Sequence, residues 1–378
     1  MQLSIFRIRA KFLGGRDLAV IGLLLLADCV VAQNVFCVRQ GASGNGSGSD
    51  WSNAMTGLPN NLQRGATYYI ADGEYDGHHF DEAVDGTKWI TVRKATQAEH
   101  GSDTGWQPSY GDGVATFRPE DEVWLPVFTF NTDYIEVDGA VGGGPGSWAS
   151  GHGFVLTGYI KSAIELSDKG SGPNANDVKH IRISHQEWSL PGGPVAGDSW
   201  AAIDASAWTG SRTPIVSNFH VDHVYSHGNY FHAYLANCRD WTIEHSLFEG
   251  AASTAKFHAP MLRLDGNSDA QFRHNLVWNG FADGNGGTGW FTFFKGTSSR
   301  IDIHGNVFAR PLSNTGPSGN GFVTTTNADA PTLVDVKVHN NSFINFDTGQ
   351  AVFFRDTATA TNCTAYNNAF YDLGDGQA

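Results

Sequence analysis

The sequence predicts an all-β solenoid, a parallel β-helix, and three observations predict it. From Tyr68 onward the chain reads as short β-branched and aromatic runs punctuated by glycine, such as TYYIADGEY, KWITVRKAT and TDYIEVDGA, with no run of amphipathic helices. A motif of apolar residues, an outward polar residue and a turn then recurs in HIRISHQEW, NFHVDHVYS, DWTIEHSLF, AQFRHNLVW, RIDIHGNVF, VKVHNNSF and TAYNNAF. Finally, like residues fall at like positions of that motif, as side chains stacked about 4.8 Å apart would require.

Taking the elements in order, Arg7, Arg9, Lys11 and Arg16 precede the apolar run LAVIGLLLLADCVVA, which reads as a secretory signal peptide over 1–32. Val30 and Ala32 supply the small residues that place cleavage before Gln33. The run is too short for the roughly 20 residues that span a bilayer, and Asp28 interrupts it, so no membrane span is expected in the mature chain. Residues 33–66 read as a short N-terminal cap: GASGNGSGSD cannot hold a regular element, and WSNAMTGLPNNLQRG suits one short helix or turn. The coils are expected over 67–378.

Taking Ile183, Val221, Ile243, Phe272, Ile303, Val338 and Ala365 as equivalent, the separations are 38, 22, 29, 31, 35 and 27 residues. Such irregular periods suit coils that carry loops of different length. The repeat is β-branched and aromatic with period two and has no helical leucine stripe. Asn275, Asn306, Asn341 and Asn368 form one predicted ladder, and Phe248, Phe308, Phe343 and Phe370 form an inner row. Cys363 aligns with Trp241 and Ile301, facing inward as a buried thiol. A second strand per coil is traced in FHAYLANC, APMLRLDG, WFTFFKGT, GFVTTTNA and AVFFRDTA. The last motif runs directly into LGDGQA without the polar cover a solenoid end needs, so the coils are expected to continue past Ala378 or to be covered.

Charge narrows the partners. The chain holds 24 Lys and Arg against 38 Asp and Glu. Removing the leader leaves 20 against 36, a net charge of -16, which excludes a phosphate-driven grip on nucleic acid. Three widely spaced cysteines, Cys37, Cys238 and Cys363, then remain, so disulfides are not the framework.

The opening CVRQGASGNGSGSDWSNA, the first rung RGATYYIADGEYDG and the repeated IEHSLF, IHGNVF and VHNNSF resemble secreted right-handed parallel β-helix proteins of the pectin lyase-like superfamily. The likeness covers nearly all of the mature chain. It implies a right-handed parallel β-helix with a short N-terminal cap, an extracellular or periplasmic location, and an extracellular polysaccharide as partner. A lyase cleaving a uronic-acid polymer by β-elimination leads, with a hydrolase using paired carboxylates or a noncatalytic adhesive β-helix as alternatives. A monomer is expected.

β-Elimination needs a base and a neutraliser for the uronate carboxylate. KFHAPMLRLDG supplies Lys256, His258 and Arg263, and NYFHAYLAN supplies His232 one coil earlier. Lys295 and Arg355 would extend a row for an anionic chain, and Trp208, Trp290 and Tyr230 offer flat faces to sugar rings. The same residues also read as solvated cations, satisfied loop histidines and packing aromatics. For hydrolysis, Asp222 and Glu244 are equivalent on successive rungs, with Arg273 next, an order that cross-rung charge pairing also produces. Asp204 and Asp265 are further acids. His185, His223, His245 and His274 share one row, a tempting Zn²⁺ column, but the row continues as Gly305, Asn340 and Asn367 and is assigned to a turn ladder. For Ca²⁺, Asp72, Glu74, Asp76, Asp81, Glu82 and Asp85 offer oxygen ligands without the spacing of a specific loop.

Overall fold

The computed structural model describes residues 34–120, 125–166, 177–193, 201–205, 215–250, 261–279, 292–311, 322–324, 332–345, 352–353 and 359–371. The chain divides into two compact units, 1–32 and 33–378, and all described residues belong to the second.

β-Branched and aromatic side chains at alternate positions cover one face of each short run, and winding the runs in one direction lets every run bury that face against the next coil. Among the described residues the strands form three parallel sheets of 13, 10 and 9 strands. One coil shows the path: Val216–Asp222 lies in the first sheet, Tyr225–His227 in the second and Phe231–Ala236 in the third. Cys238–Glu244 then returns beside Val216–Asp222. The result is a right-handed parallel β-helix. Among the described residues the helical turns are Gln97–His100 and the 3-10 turn Pro108–Tyr110. The segment 51–65 is bends and turns, and Asn34–Val38 already pairs with Ala66–Ile70, so parallel pairing begins before residue 67.

The predicted column is paired rung by rung, buried from Ile183 to Val338 and exposed at Ala365. Ile183, Val221, Ile243, Phe272, Ile303, Val338 and Ala365 are successive partners across the first sheet. In the second sheet Phe248, Val277, Phe308, Phe343 and Phe370 are successive partners, so valine interrupts the phenylalanine row once, and Phe370, on the last described rung, is exposed, a correction to the inner position expected for it. Cys363 packs against the core but is only half-buried, a correction to the buried thiol expected there. Cys37 and Cys238 are buried free thiols, and burial pushes the Cys37 thiol up to about 12.

Asparagines make the turn between the first two sheets. Asn275, Asn306 and Asn341 are buried, and each would leave a costly unsatisfied amide if its partners were missing. Asn306 Oδ1 accepts from the Asn275 backbone N–H at 2.9 Å, and its Nδ2 donates to the Phe272 carbonyl at 2.9 Å and to Asn341 Oδ1 at 3.0 Å. Asn341 and Asn368 repeat the arrangement. Ser246 begins the row, its N–H donating to Asn275 Oδ1 at 3.0 Å. Replacing Asn306 with Ala removes the side-chain bonds to the Asn275 N–H and the Phe272 carbonyl on the coil before it and to Asn341 Oδ1 on the coil after it. We expect a loss of about 2 kcal/mol in urea unfolding at unchanged slope; unaltered stability would contradict this role for the ladder.

Candidate active-site face

Of the residues singled out by sequence, Lys256, His258, Trp208, Trp290 and Arg355 lie outside the described residues. Lys295 sits in Thr292–Lys295, with its Cα beside that of Asp265. The other three are placed, and two cannot meet a polymer. Tyr230 is 3% exposed and its ring lies 4.4 Å from that of Phe231, so it is a packing aromatic. His232 is fully buried. Its Nε2–H donates to the Gly250 carbonyl at 3.0 Å, leaving Nδ1, 2.7 Å from Ser226 Oγ, to accept from that hydroxyl. The corner between the second and third sheets turns this imidazole away from solvent, so a substrate-facing role for it is corrected to a packing role. Arg263 stays part-exposed, but it pairs with Asp265 at 3.0 Å and stacks over the Tyr234 ring at 4.1 Å.

Four of the six acids considered for Ca²⁺ already have a basic partner. Asp72 pairs with Lys94 at 2.7 Å, Glu74 with Arg118 at 3.5 Å, Glu82 with His78 at 3.6 Å and Asp85 with Lys88 at 2.6 Å.

Polar groups concentrate instead on the outward face of the first sheet. One column there runs Arg93, Asp138, Ser184, Asp222, Glu244, Arg273, His304 and His339, each the register partner of the next. Beside it runs a second column with Arg182, His220 and Thr242. Arg93 pairs with Asp138 at 2.6 Å, and Arg273 Nε with Glu244 Oε2 at 2.7 Å. His220 Nε2 lies 2.8 Å from the other Glu244 oxygen. Burial would raise the Glu244 pKa, but the hydrogen bonds from Arg273 and His220 outweigh it and hold the carboxyl below its usual range. Asp138 is also held low, against its burial, by His185 and the Ala140 N–H.

The histidine row is the turn that follows this column. His185, His223, His245 and His274 all have φ between 47° and 55°, as do Asn340 and Asn367 at 54° and 53°. The left-handed conformation suits asparagine and glycine and is uncommon for other side chains. The turn ladder expected from sequence is therefore present. Its rings follow one another at centroid spacings of 4.9, 5.3 and 5.5 Å, the first and last pairs stacked and the middle pair tilted. Gly305 continues the row, and a Cβ there would come 2.5 Å from His274 Cδ2, so the missing side chain lets the His274 ring lie over the backbone. His274 is exposed; partial burial, then His245 and Arg273, lower its pKa.

No family model and no curated protein matches the chain. Solved structures similar to it include pectate lyase Pel9A, at 11% identity over 89% of this chain and 79% of that one, with a TM-score of 0.41. The Streptococcus pneumoniae surface protein and adhesin PfbA follows at 12% identity over 83% and 91%, TM-score 0.39. An alginate lyase from Paenibacillus sp. str. FPU-7 is 15% identical over 84% and 94%, TM-score 0.37. By its own three sheets, the chain is a parallel β-helix. Among the described residues no helix is long and apolar enough to cross a membrane.

The burial of His232 sets a pH dependence. Desolvation lowers its pKa from 6.5 to about 3. Below pH 6.5 the unfolded chain therefore binds a proton that the folded chain refuses, and stability falls with pH until about 3. At pH 5 the expected loss from this group is about 2 kcal/mol relative to pH 7. Urea unfolding at both pH values should show a loss smaller by that amount in His232→Gln; equal losses would contradict it.

Proposed function

We propose that this chain is an exported, carbohydrate-active β-helix that takes an anionic polysaccharide along the outward face of its first sheet and cleaves it by β-elimination. The observation that supports this reading is that Arg273 is followed by exposed His274 on one coil and has His304 as its register partner on the next. Arg273 engages Glu244 through Nε, and a guanidinium has four further N–H donors for a uronate carboxylate. Neutralising that carboxylate acidifies the α proton, which the His274 imidazole, kept unprotonated at neutral pH by its lowered pKa, would take. The electron pair left behind forms the double bond as the β C–O bond to the departing sugar breaks, and a proton returns to that oxygen. Hydrolysis is less well supported. It needs one protonated carboxyl, and Glu244 is held ionised by Arg273 and His220.

One observation favours a second, noncatalytic reading. Arg93, Arg182 and Arg273 already pair with Asp138, Glu136 and Glu244, so the face is largely self-neutralised in a strongly acidic chain. Incubation with alginate, pectate and glycosaminoglycans while following ultraviolet absorbance separates the two. We expect unsaturated uronate to appear, and His274→Ala and Arg273→Ala each to slow it by about 10²-fold or more. Full activity in both variants, with loss in Lys256→Ala or His258→Ala, would move the site to the earlier-favoured segment. Reducing ends without absorbance would mean hydrolysis, and no product from any polymer would establish the noncatalytic reading.

A further inference from the structure

We infer that Asp222, His223 and His245 form a binding site for a divalent first-row transition metal of the Zn²⁺ type. Two successive coils bring the three side chains together. Asp222 Oδ1 lies 2.8 Å from His223 Nδ1 and 3.0 Å from His245 Nδ1, and the three atoms all lie within 4.8 Å of one another. Donors bound at about 2.0–2.2 Å to one tetrahedral ion sit roughly 3.4 Å apart, and both Asp222 distances lie within about half an ångström of that spacing.

Three further observations point to a ligand. First, His223 Nδ1 is shielded from solvent and has no hydrogen-bond partner, although Asp222 Oδ1 is 2.8 Å away. At that distance the approach still does not have the geometry of a hydrogen bond, so the nitrogen's bonding capacity is unused. Second, the backbone does not require histidine here. The same left-handed turn is made by Gly305, Asn340 and Asn367 on later coils, so imidazole at 223 and 245, beside the carboxylates of Asp222 and Glu244, answers to something other than the turn. Third, the carboxylates differ. Glu244 already pairs with Arg273 and His220, whereas the ion pairs of Asp222 among the described residues are with the two imidazoles, His220 and Glu244 lying further off but within 4.8 Å.

The donor set selects the ion. Two imidazole nitrogens and one carboxylate oxygen suit Zn²⁺ and its neighbours, whereas Ca²⁺ and Mg²⁺ take oxygen shells. The side chains of Asp222, His223 and His245 are 23%, 29% and 32% exposed, so a fourth position would open to solvent, the form of a site that holds a water or a ligand group. The inference is independent of the elimination chemistry proposed above, which uses Arg273 and His274.

The test uses the full chain produced without a histidine tag, stripped with chelator and titrated with Zn²⁺ by calorimetry, with Co²⁺ absorption as a second readout. We expect one Zn²⁺ per chain and tetrahedral Co²⁺ bands. The double variant His223→Asn with His245→Asn preserves the turn that Asn340 and Asn367 already make, and should bind at least 100-fold more weakly with an unchanged circular dichroism spectrum. The near-isosteric Asp222→Asn should lose binding comparably if the double variant folds poorly, whereas His339→Ala should bind as the parent does. No Zn²⁺ uptake by the parent, uptake unaffected by the variants, or displacement of Zn²⁺ by equimolar Ca²⁺ would each overturn the assignment.

Discussion

The in-register stacking of one coil on the next is the constraint on which the rest of this structure depends. Each strand hydrogen-bonds to the equivalent strand one turn earlier, about 4.8 Å away, so a residue type that suits a position once suits it repeatedly. Apolar side chains then pile into continuous inner columns, and polar side chains are forced into outer columns where each meets a neighbour above and below. Arg93 against Asp138 and Arg273 against Glu244 are direct products of that geometry.

The same stacking explains why the fold is legible without coordinates. The inward positions Ile183 to Val338 and the asparagine row from Asn275 to Asn368 obey a local pattern that every coil must repeat, and the structure pairs them rung by rung. The places where reading failed are places where the pattern bends. Val277 fills a slot between two phenylalanines because the inward position requires an apolar side chain and not a ring. Ser246 heads the asparagine row because a hydroxyl and a backbone N–H meet the same hydrogen-bonding need.

The candidate site was less legible, for a physical reason. Concentration of charge along the chain is not concentration in space: the segment around Arg263 is dense in sequence, yet Arg263 folds back onto Asp265 and Tyr234, and His232 turns inward at a corner where strand alternation does not hold. The outward column of the first sheet draws one residue from each coil, at separations of more than 20 residues, so its members look isolated until they are stacked. The register between Asp222, Glu244 and Arg273 could be read from the repeat, and the sharing of one carboxylate oxygen by His223 and His245 could not, because it depends on side-chain direction in a left-handed turn.

The account rests on register, and register can be measured in solution. Thr242 and Gln271 are direct partners on adjoining coils, and Asp302 is one coil further on. In a Cys363→Ser background, mild oxidation should join cysteines placed at 242 and 271, whose Cα separation of about 4.8 Å falls within the range a disulfide spans, and should leave a 242 and 302 pair unjoined. Efficient joining of 242 to 302, with none of 242 to 271, would contradict the stacking and every column built on it.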